Sequence, residues 1–430
     1  MKMSMKSGAG HLILLSVFIF MFSISCNNNS AKNDDIRQNV YNITNTLTGT
    51  DSIQPFFFTN DEPKLIRVPE KYIEDFFPSQ LIDIHGYISL ETNKNSLFGD
   101  IEKIKIHDNK IFILDGFKES IVIFNINGTF ENKINNTGNG PYEYYRISDF
   151  EIKGNNIIIL DDIRDKLFTF TMDGVCIGVK DMAVKFSNFR FLPDESLFMY
   201  TASQANEFIP AINNYEWLIG YPDSIITNAG FLRNDSRIRM RQLTFPRSLT
   251  DYNDTVIFIP KFGQHVYEVT ENKMIKPRYI VDFKKPVTEA ALEGISMDDM
   301  GRSLVENGYE YISAPWLETE YYIYFSSTHK EGNLRSFVYS KKKDKTIAYE
   351  GYFTGYETEY AFIMYSTPMT THNNMFVSVL QPNKILKNKK EIIKKNQNNP
   401  DVLNIINNLK DEDNPVLMLF DINPNSALFD

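Results

Sequence analysis

The sequence is short of the residues that most enzyme chemistry requires. It has two cysteines and six histidines in 430 residues. His11, His85, His107, His265, His329 and His372 lie far apart, and none forms a spacing that would present two imidazoles to zinc. There is no Gly-x-Ser-x-Gly elbow and no phosphate loop. Gly138-Asn-Gly140 is followed by Pro141 and then a strand pattern, so it lacks the helix N-terminus of an anion cradle. Basic charge is also scarce. Lys and Arg number 45 against 55 Asp and Glu, for a net charge of −10, and the run Lys387 to Lys395 is a short local exception. Nucleic acid is therefore excluded as a partner, because phosphate binding needs clustered cations. With only Cys176 left after Cys26, an intramolecular disulfide in the mature domain is excluded, and stability must come from burial.

What is present in abundance is β-forming material. Phe and Tyr number 33 and 23, and 42% of the chain is hydrophobic. The stretch Ile101–Asp115, moved forward by 46 positions, falls on Ile147–Asp161. Ile106/Ile152, Asn109/Asn155, Ile111/Ile157, Ile113/Ile159, Leu114/Leu160, Asp115/Asp161, Phe124/Phe170 and Gly128/Gly174 are identical pairs. A repeat of short alternating strands punctuated by Asn, Asp and Gly predicts an all-β, six-bladed β-propeller.

The blades can be counted along the chain. The first places strands at Ile101–Ile106, Lys110–Leu114, Ser120–Phe124 and Phe130–Ile134, with a hairpin signal at Asn127-Gly128. The second repeats this through Asp173-Gly174. The third begins at Phe189–Tyr200 and continues with Trp217–Tyr221 and Ser224–Thr227. The fourth contains Asp254–Ile259, His265–Val269 and Arg278–Phe283. The fifth reads Tyr309–Ile312, Glu320–Ser326, Arg335–Tyr339 and Ile347–Tyr349. The sixth begins near Met364, includes Asn374–Val379 and resumes at Pro415–Ile422. Helical spacing over Val287–Gly308 and Lys387–Leu409 predicts two inserted helices. The N-terminal strand Tyr87–Leu90 has no blade of its own, so it is expected to close the last one and leave no long edge exposed.

Upstream, Lys2 and Lys6 precede an uncharged run of 13 residues, Leu12 to Ile24. This is short of the ~20 that span a bilayer and suits a signal peptide. The run ends at Ser23-Ile-Ser-Cys26, which resembles the looser lipoboxes of Bacteroidetes lipoproteins, with Ser23 in the place usually held by Leu. That resemblance implies lipid on Cys26 and a membrane anchor. Loss of residues 1–25 removes two lysines and no acid, shifting the charge from −10 to −12. The polar sequence that follows cannot build a core and reads as a tether. The expected division is thus 1–25 signal peptide, 26–61 lipidated tether and 62–430 propeller.

Three motifs in order, Gly138-Asn-Gly-Pro-Tyr-Glu-Tyr144 with Ile147-Ser-Asp-Phe150, Lys276–Phe283, and Asp413-Asn-Pro-Val-Leu417, carry a further resemblance. The chain is similar to the six-bladed propeller lipoproteins of Bacteroidetes, distant relatives of NHL-repeat propellers and mostly of unknown function. The resemblance implies export to the outer membrane, facing the periplasm or the cell surface. It departs at Tyr142, where the family usually has a second glycine.

The loop Tyr142–Arg146 leads toward the channel mouth, where three tyrosines and an arginine could stack on sugar or peptide. Tyr142, Tyr145 and Arg146 are the candidate ligand contacts, joined by Arg164 and Lys166 from the matching face of the second blade. Glu143 and Tyr144 read as fasteners between blades, and Trp217 and Trp316 as core. Asp115 and Asp161 recur at strand ends, where carboxylates accept backbone N–H groups; with His265 and His372 they are a weaker candidate set for Ca²⁺. The leading expectation is a non-enzymatic binding or scaffold module for peptide, protein or glycan, with no cofactor. The alternatives are a metal-dependent NHL-like enzyme, a lyase or lactone hydrolase, and an accessory subunit of an outer-membrane uptake complex.

Overall fold

The computed structural model describes residues 53–73, 80–202, 206, 209–213, 215–232, 248–292, 300–313, 315–328, 334–350 and 367–430. Cys26, the signal peptide and the start of the sixth blade near Met364 lie outside the described residues. The strands form six separate sheets, each with four antiparallel strands, the blades of a propeller. In blade one Lys103–His107, Lys110–Asp115, Ser120–Asn125 and Phe130–Ile134 pair in order from the channel outward, and blade two repeats this from Asp149–Lys153 to Cys176–Asp181.

Turn chemistry sets the register. Asp108-Asn109, Asn253-Asp254 and Asn373-Asn374 all have positive φ at both positions, the conformation of a two-residue hairpin whose twist matches the strands. The first and second strands of blades one, four and six are joined in this way. Gly128 has φ +89° in the turn before the last strand of blade one, and a Cβ there would meet the Ser89 carbonyl at 2.2 Å. Glycine is thus needed for the turn and for the approach of the neighbouring blade.

The strands alternate side chains between faces, so each blade buries apolar residues against both neighbours. Between blades one and two the packing is Phe112, Leu114, Phe150, Ile159 and Phe168 around Tyr144. In blade three Trp217 is fully buried, with its ring centroid 5.1 Å from Phe198 and 4.4 Å from Tyr200. At ~25 cal/mol per Å² of apolar surface, aromatic side chains of this size are the largest individual contributors to such a core.

The ring closes as expected. Ile82–Ser89 is the outermost strand of blade six, antiparallel to Val416–Ile422. The chain before it does more than connect. Gln54–Pro55 pairs in parallel with the outer strand of blade three, Ile225–Leu232. Lys64–Arg67 pairs in parallel with Ile275–Asp282 of blade four, and Ile73 bridges Tyr349 of blade five. The N-terminal segment is therefore a belt around the outer rim from blade three to blade six. Residues 54–61, expected to end the tether, already belong to the propeller: Phe56 is buried in the packing between blades three and four.

Other boundaries differ in detail. The innermost strand of blade five is Leu317–Glu318, while Tyr309–Ile312 makes only isolated bridges, from Glu310 to Pro286 and from Ile312 to Ser327. Blade four has an inner strand, Leu249–Tyr252, ahead of those expected. Among the described residues the Val287–Gly308 insertion holds two short helices, Glu289–Leu292 and Met300–Glu306. The Lys387–Leu409 insertion begins earlier and is three: Pro382–Lys387, Lys389–Lys395 and Pro400–Asn408. Asn388 and Asn396 end the first two, and Asn399 caps the third by accepting from the Val402 N–H.

Candidate functional site

The inner strands of all six blades surround a channel cavity of about 520 Å³. Its walls differ. All the charged lining, Lys103, Lys105, Asp149, Glu151, Arg190 and Asp251 among it, comes from blades one to four, interleaved there with apolar residues such as Ile104, Ile152 and Leu249; blades five and six give only uncharged residues, Pro315, Trp316, Leu317, Met369, Thr370 and Thr371.

The charged wall is a closed ion-pair network. Lys103 Nζ donates to Asp149 Oδ1 (2.6 Å), the Phe150 carbonyl (2.6 Å) and Glu151 Oε1 (2.9 Å). Lys105 pairs with Glu151 and lies 3.3 Å from Asp251. Arg190 joins three blades: its guanidinium meets Asp251 (3.0 Å), Glu151 (2.9 Å) and Asp149 (3.3 Å), and it donates to the carbonyls of Phe189 (2.7 Å) and Leu249 (3.0 Å). Three cations thus face three carboxylates. Burial alone would push Asp149 and Asp251 up, but the neighbouring cations outweigh it and hold both below the usual carboxylate range. For Lys103, burial and the Arg190 charge win, and its amine lies below the ordinary lysine value. For Lys105 the Glu151 and Asp251 charges win against burial, raising it.

The sequence carried a signal for this wall. Under the 46-residue shift Lys103 falls on Asp149 and Lys105 on Glu151, so equivalent inner-strand positions in neighbouring blades hold opposite charges. Period-two spacing on an inner strand sends both members of each pair to the channel.

The inter-blade loop Gly138–Ile147 ends at the cavity, where Ser148 is part of the lining. Its interior is tightly tied. Tyr144 is fully buried; its hydroxyl donates to the Glu119 carbonyl (2.9 Å) and accepts from the Asn136 N–H (3.2 Å). The Glu143 carboxylate accepts from the Gly140 N–H (2.7 Å) and fills the space a Gly138 Cβ would occupy. These two residues fasten the loop. Tyr142 and Tyr145 project into solvent, 59% and 57% exposed, and Arg146 is exposed beside them. Burial pushes the Glu102 carboxyl on the cavity rim up, and the Arg146 charge offsets part of that rise, so Arg146 stands near the rim.

Arg164 is turned onto the loop, donating to the carbonyls of Glu143 (2.6 Å) and Gly138 (2.6 Å) and to Asn139 Oδ1 (2.8 Å). Lys166 pairs with Asp181 on its own blade. Tyr142, Tyr145 and Arg146 are thus exposed on one loop, whereas Arg164 and Lys166 are engaged with partners of the protein itself.

Residues 69–421 match the family described as Domain of unknown function (DUF4934). The chain belongs to this family. Comparison with curated proteins gave no match. Among solved structures, a Bacteroides fragilis protein provisionally classed as exported is 18% identical, with a TM-score of 0.69, over 84% of this chain and 100% of its own. A Bacteroides vulgatus member of the DUF4221 family is 11% identical over 80% of this chain and 98% of its own, with a TM-score of 0.44. A catalytically inactive virginiamycin B lyase from Staphylococcus aureus, with quinupristin, is 11% identical over 76% and 82%, with a TM-score of 0.37. At these identities the B. fragilis likeness shows the fold alone.

The residues considered for Ca²⁺ do not meet. Asp115 accepts from the N–H groups of Gly99 (2.9 Å), Asp100 (3.2 Å), Phe117 (3.1 Å) and Lys118 (3.2 Å). Asp161 accepts from Tyr145 (2.6 Å), Ile163 (3.1 Å) and Arg164 (3.1 Å). Each carboxylate ties its own turn to the loop entering the blade. His265 stacks on Tyr267, His372 is bonded to Asn373, and none of the four lines the cavity. Among the described residues no group of three or more His, Cys, Asp or Glu side chains could hold a metal ion. No described helix is long and apolar enough to cross a membrane.

Proposed function

We propose that this protein is a lipid-anchored binding module of the cell envelope, without catalytic activity, which takes a short peptide into its channel. The observation that carries the reading is the two-sided cavity: a charged wall whose ions are mutually compensated, facing an apolar and hydroxyl-bearing wall, in a volume typical of small-ligand sites. A peptide has the matching division, with backbone and termini for the polar side and side chains for Pro315, Leu317 and Met369. Tyr142, Tyr145 and Arg146 at the rim offer exposed aromatic and cationic contacts for the part that protrudes.

Of the chain's two tryptophans, Trp316 lines the cavity and Trp217 does not, so intrinsic fluorescence reports on occupancy. Titration with a pooled tripeptide and tetrapeptide library is expected to change the emission, and Trp316→Phe to abolish the change. Met369→Arg, which fills the cavity, and Tyr145→Ala with Arg146→Ala are expected to weaken binding. If oligosaccharides alone produce the response, the ligand class is wrong; if neither does, the channel reading fails. Anchoring is tested separately by labelling cells with a clickable palmitate analogue, with Cys26→Ser expected to lose the label.

A further inference from the structure

The ion-pair network does not use all the charge in the cavity lining. Lys103, Lys105 and Arg190 are matched by Asp149, Glu151 and Asp251, and two carboxylates, Glu102 and Asp254, are left over. They stand at opposite ends of the channel. Glu102 precedes the inner strand Lys103–His107 of blade one, whereas Asp254 follows the inner strand Leu249–Tyr252 of blade four. Asp254 sits in an exposed hairpin turn, while Glu102 is half-buried at the mouth where the loop carrying Tyr142 and Tyr145 enters blade two.

Glu102 departs from the repeat. Its counterpart under the 46-residue shift is Ser148, whose hydroxyl donates to the Leu160 carbonyl of its own blade (3.1 Å). Among the described residues nothing donates a hydrogen bond to the Glu102 carboxylate, and Arg146 acts on it from beyond ion-pair distance. Shape holds it in place instead: a Cβ on Gly116 would meet Glu102 Oε2 at 2.4 Å, so the carboxylate packs where only glycine leaves room. Burial pushes this carboxyl up, as expected for a charge drawn from water without a close partner. The surroundings are apolar. Phe117, the residue after Gly116, is 80% exposed, and its blade-two counterpart Ile163 is exposed as well. Asp161 accepts from the N–H groups of both Tyr145 and Ile163, which puts the loop and these turns on one face of the ring.

We propose that Glu102 is the anchoring subsite for a basic side chain, so that the peptide taken into the channel carries Lys or Arg at this mouth; this rests on the peptide reading above. An ammonium or guanidinium supplies the missing donors, and the exposed rings of Phe117 and Tyr145 suit both its methylene stem and its cationic head. The net charge of −10 favours the same class of ligand, since a negative surface speeds the encounter with cations.

The test reads tryptophan emission with three tripeptide pools, N-acetylated and C-amidated so that side chains alone carry charge. One pool has a single Lys or Arg per peptide, one a single Asp or Glu, and one neither. The basic pool is expected to bind on the order of tenfold more tightly than the neutral one, the worth of a charge-assisted hydrogen bond in a partly buried site. Glu102→Gln should remove that difference, and Gly116→Ala, which displaces the carboxylate, should reduce it. Glu102→Gln is expected to unfold at the wild-type midpoint, because the carboxylate supports no other group. Equal affinity for the basic and neutral pools overturns the proposal and leaves the channel reading standing; silence from all three pools overturns the channel reading and this one with it. A preference that survives Glu102→Gln but is lost in Asp254→Asn puts the cation at the other mouth and overturns it too. Spermidine that displaces the basic pool at lower concentration than the pool itself would assign the subsite to a polyamine, with the same result.

Discussion

Arg190→Met probes the channel wall most directly. Arg190 is buried, makes ion pairs to three carboxylates on blades two and four, and satisfies two backbone carbonyls. Removing it leaves two cations against three carboxylates, of which Asp149 and Glu151 are buried. Breaking a buried ion pair from one side costs ~3–5 kcal/mol, because the remaining charge keeps its desolvation penalty. Lys103 and Lys105 still face Glu151, which places the expected loss toward the lower end, about 3 kcal/mol by equilibrium urea unfolding at neutral pH. The pH dependence follows from the signs. Asp149 and Asp251 are depressed in the folded wild type, so their contribution is present above the unfolded Asp value of ~3.9 and is lost as pH falls through their folded values below it. Without Arg190, burial lifts the Asp149 carboxyl, and it takes up its proton at higher pH. The deficit of the variant should therefore be largest near pH 7 and shrink toward pH 4. Glu151→Gln in the same chain restores the balance of two cations and two carboxylates and should recover at least half the loss. A deficit below about 1 kcal/mol at pH 7, or one independent of pH, would refute the view that the wall is held by compensation.

Other consequences are more local. Asp161→Ala strips acceptors from the N–H groups of Tyr145, Ile163 and Arg164 and should cost about 1–3 kcal/mol, read by the same unfolding assay; stability equal to wild type would reopen a ligand role for that carboxylate. Tyr144→Phe removes the hydroxyl that joins Glu119 and Asn136, with an expected loss of about 1 kcal/mol and faster exchange confined to residues 136–147. Gly128→Ala adds a Cβ against the Ser89 carbonyl in a turn with φ +89°; the midpoint of unfolding should fall, and exchange in Ile82–Ser89 should rise more than in blade three.

The ring was legible because its determinants are local. Asn127-Gly128 and Asp173-Gly174 announce hairpins, and the spacing of Ile111, Ile113, Ile157 and Ile159 announces strands buried on both faces. The closing strand was found by counting, since a strand with no blade of its own must go somewhere. The belt was not legible, because a segment pairing through a few parallel bonds at an edge needs neither alternation nor a hairpin turn. Gln54, Pro55 and Lys64–Arg67 have no pattern to distinguish them from a tether. The inner strand of blade five was missed for a related reason: Leu317–Glu318 is two residues long, and the more apolar Tyr309–Ile312 drew the assignment. Tyr142, Tyr145 and Arg146 stand out in the sequence through aromatic and cationic composition. Arg164 was indistinguishable from Arg146 on that criterion, and the carbonyls of Gly138 and Glu143 decide which guanidinium is occupied.

The closing strand also sets an order in time. Ile82–Ser89 is made before all the strands of the other five blades that lie between it and its partner Val416–Ile422. During synthesis, or passage through any pore that admits the N-terminus first, blade six waits half built while the intervening blades take shape, its outer strand already present and its inner three still to come. Contacts at such sequence separation are the slow ones in folding. A chain cut short before Val416 leaves Ile82–Ser89 without its partner strand, so blade six stays open until Val416–Ile422 is in place.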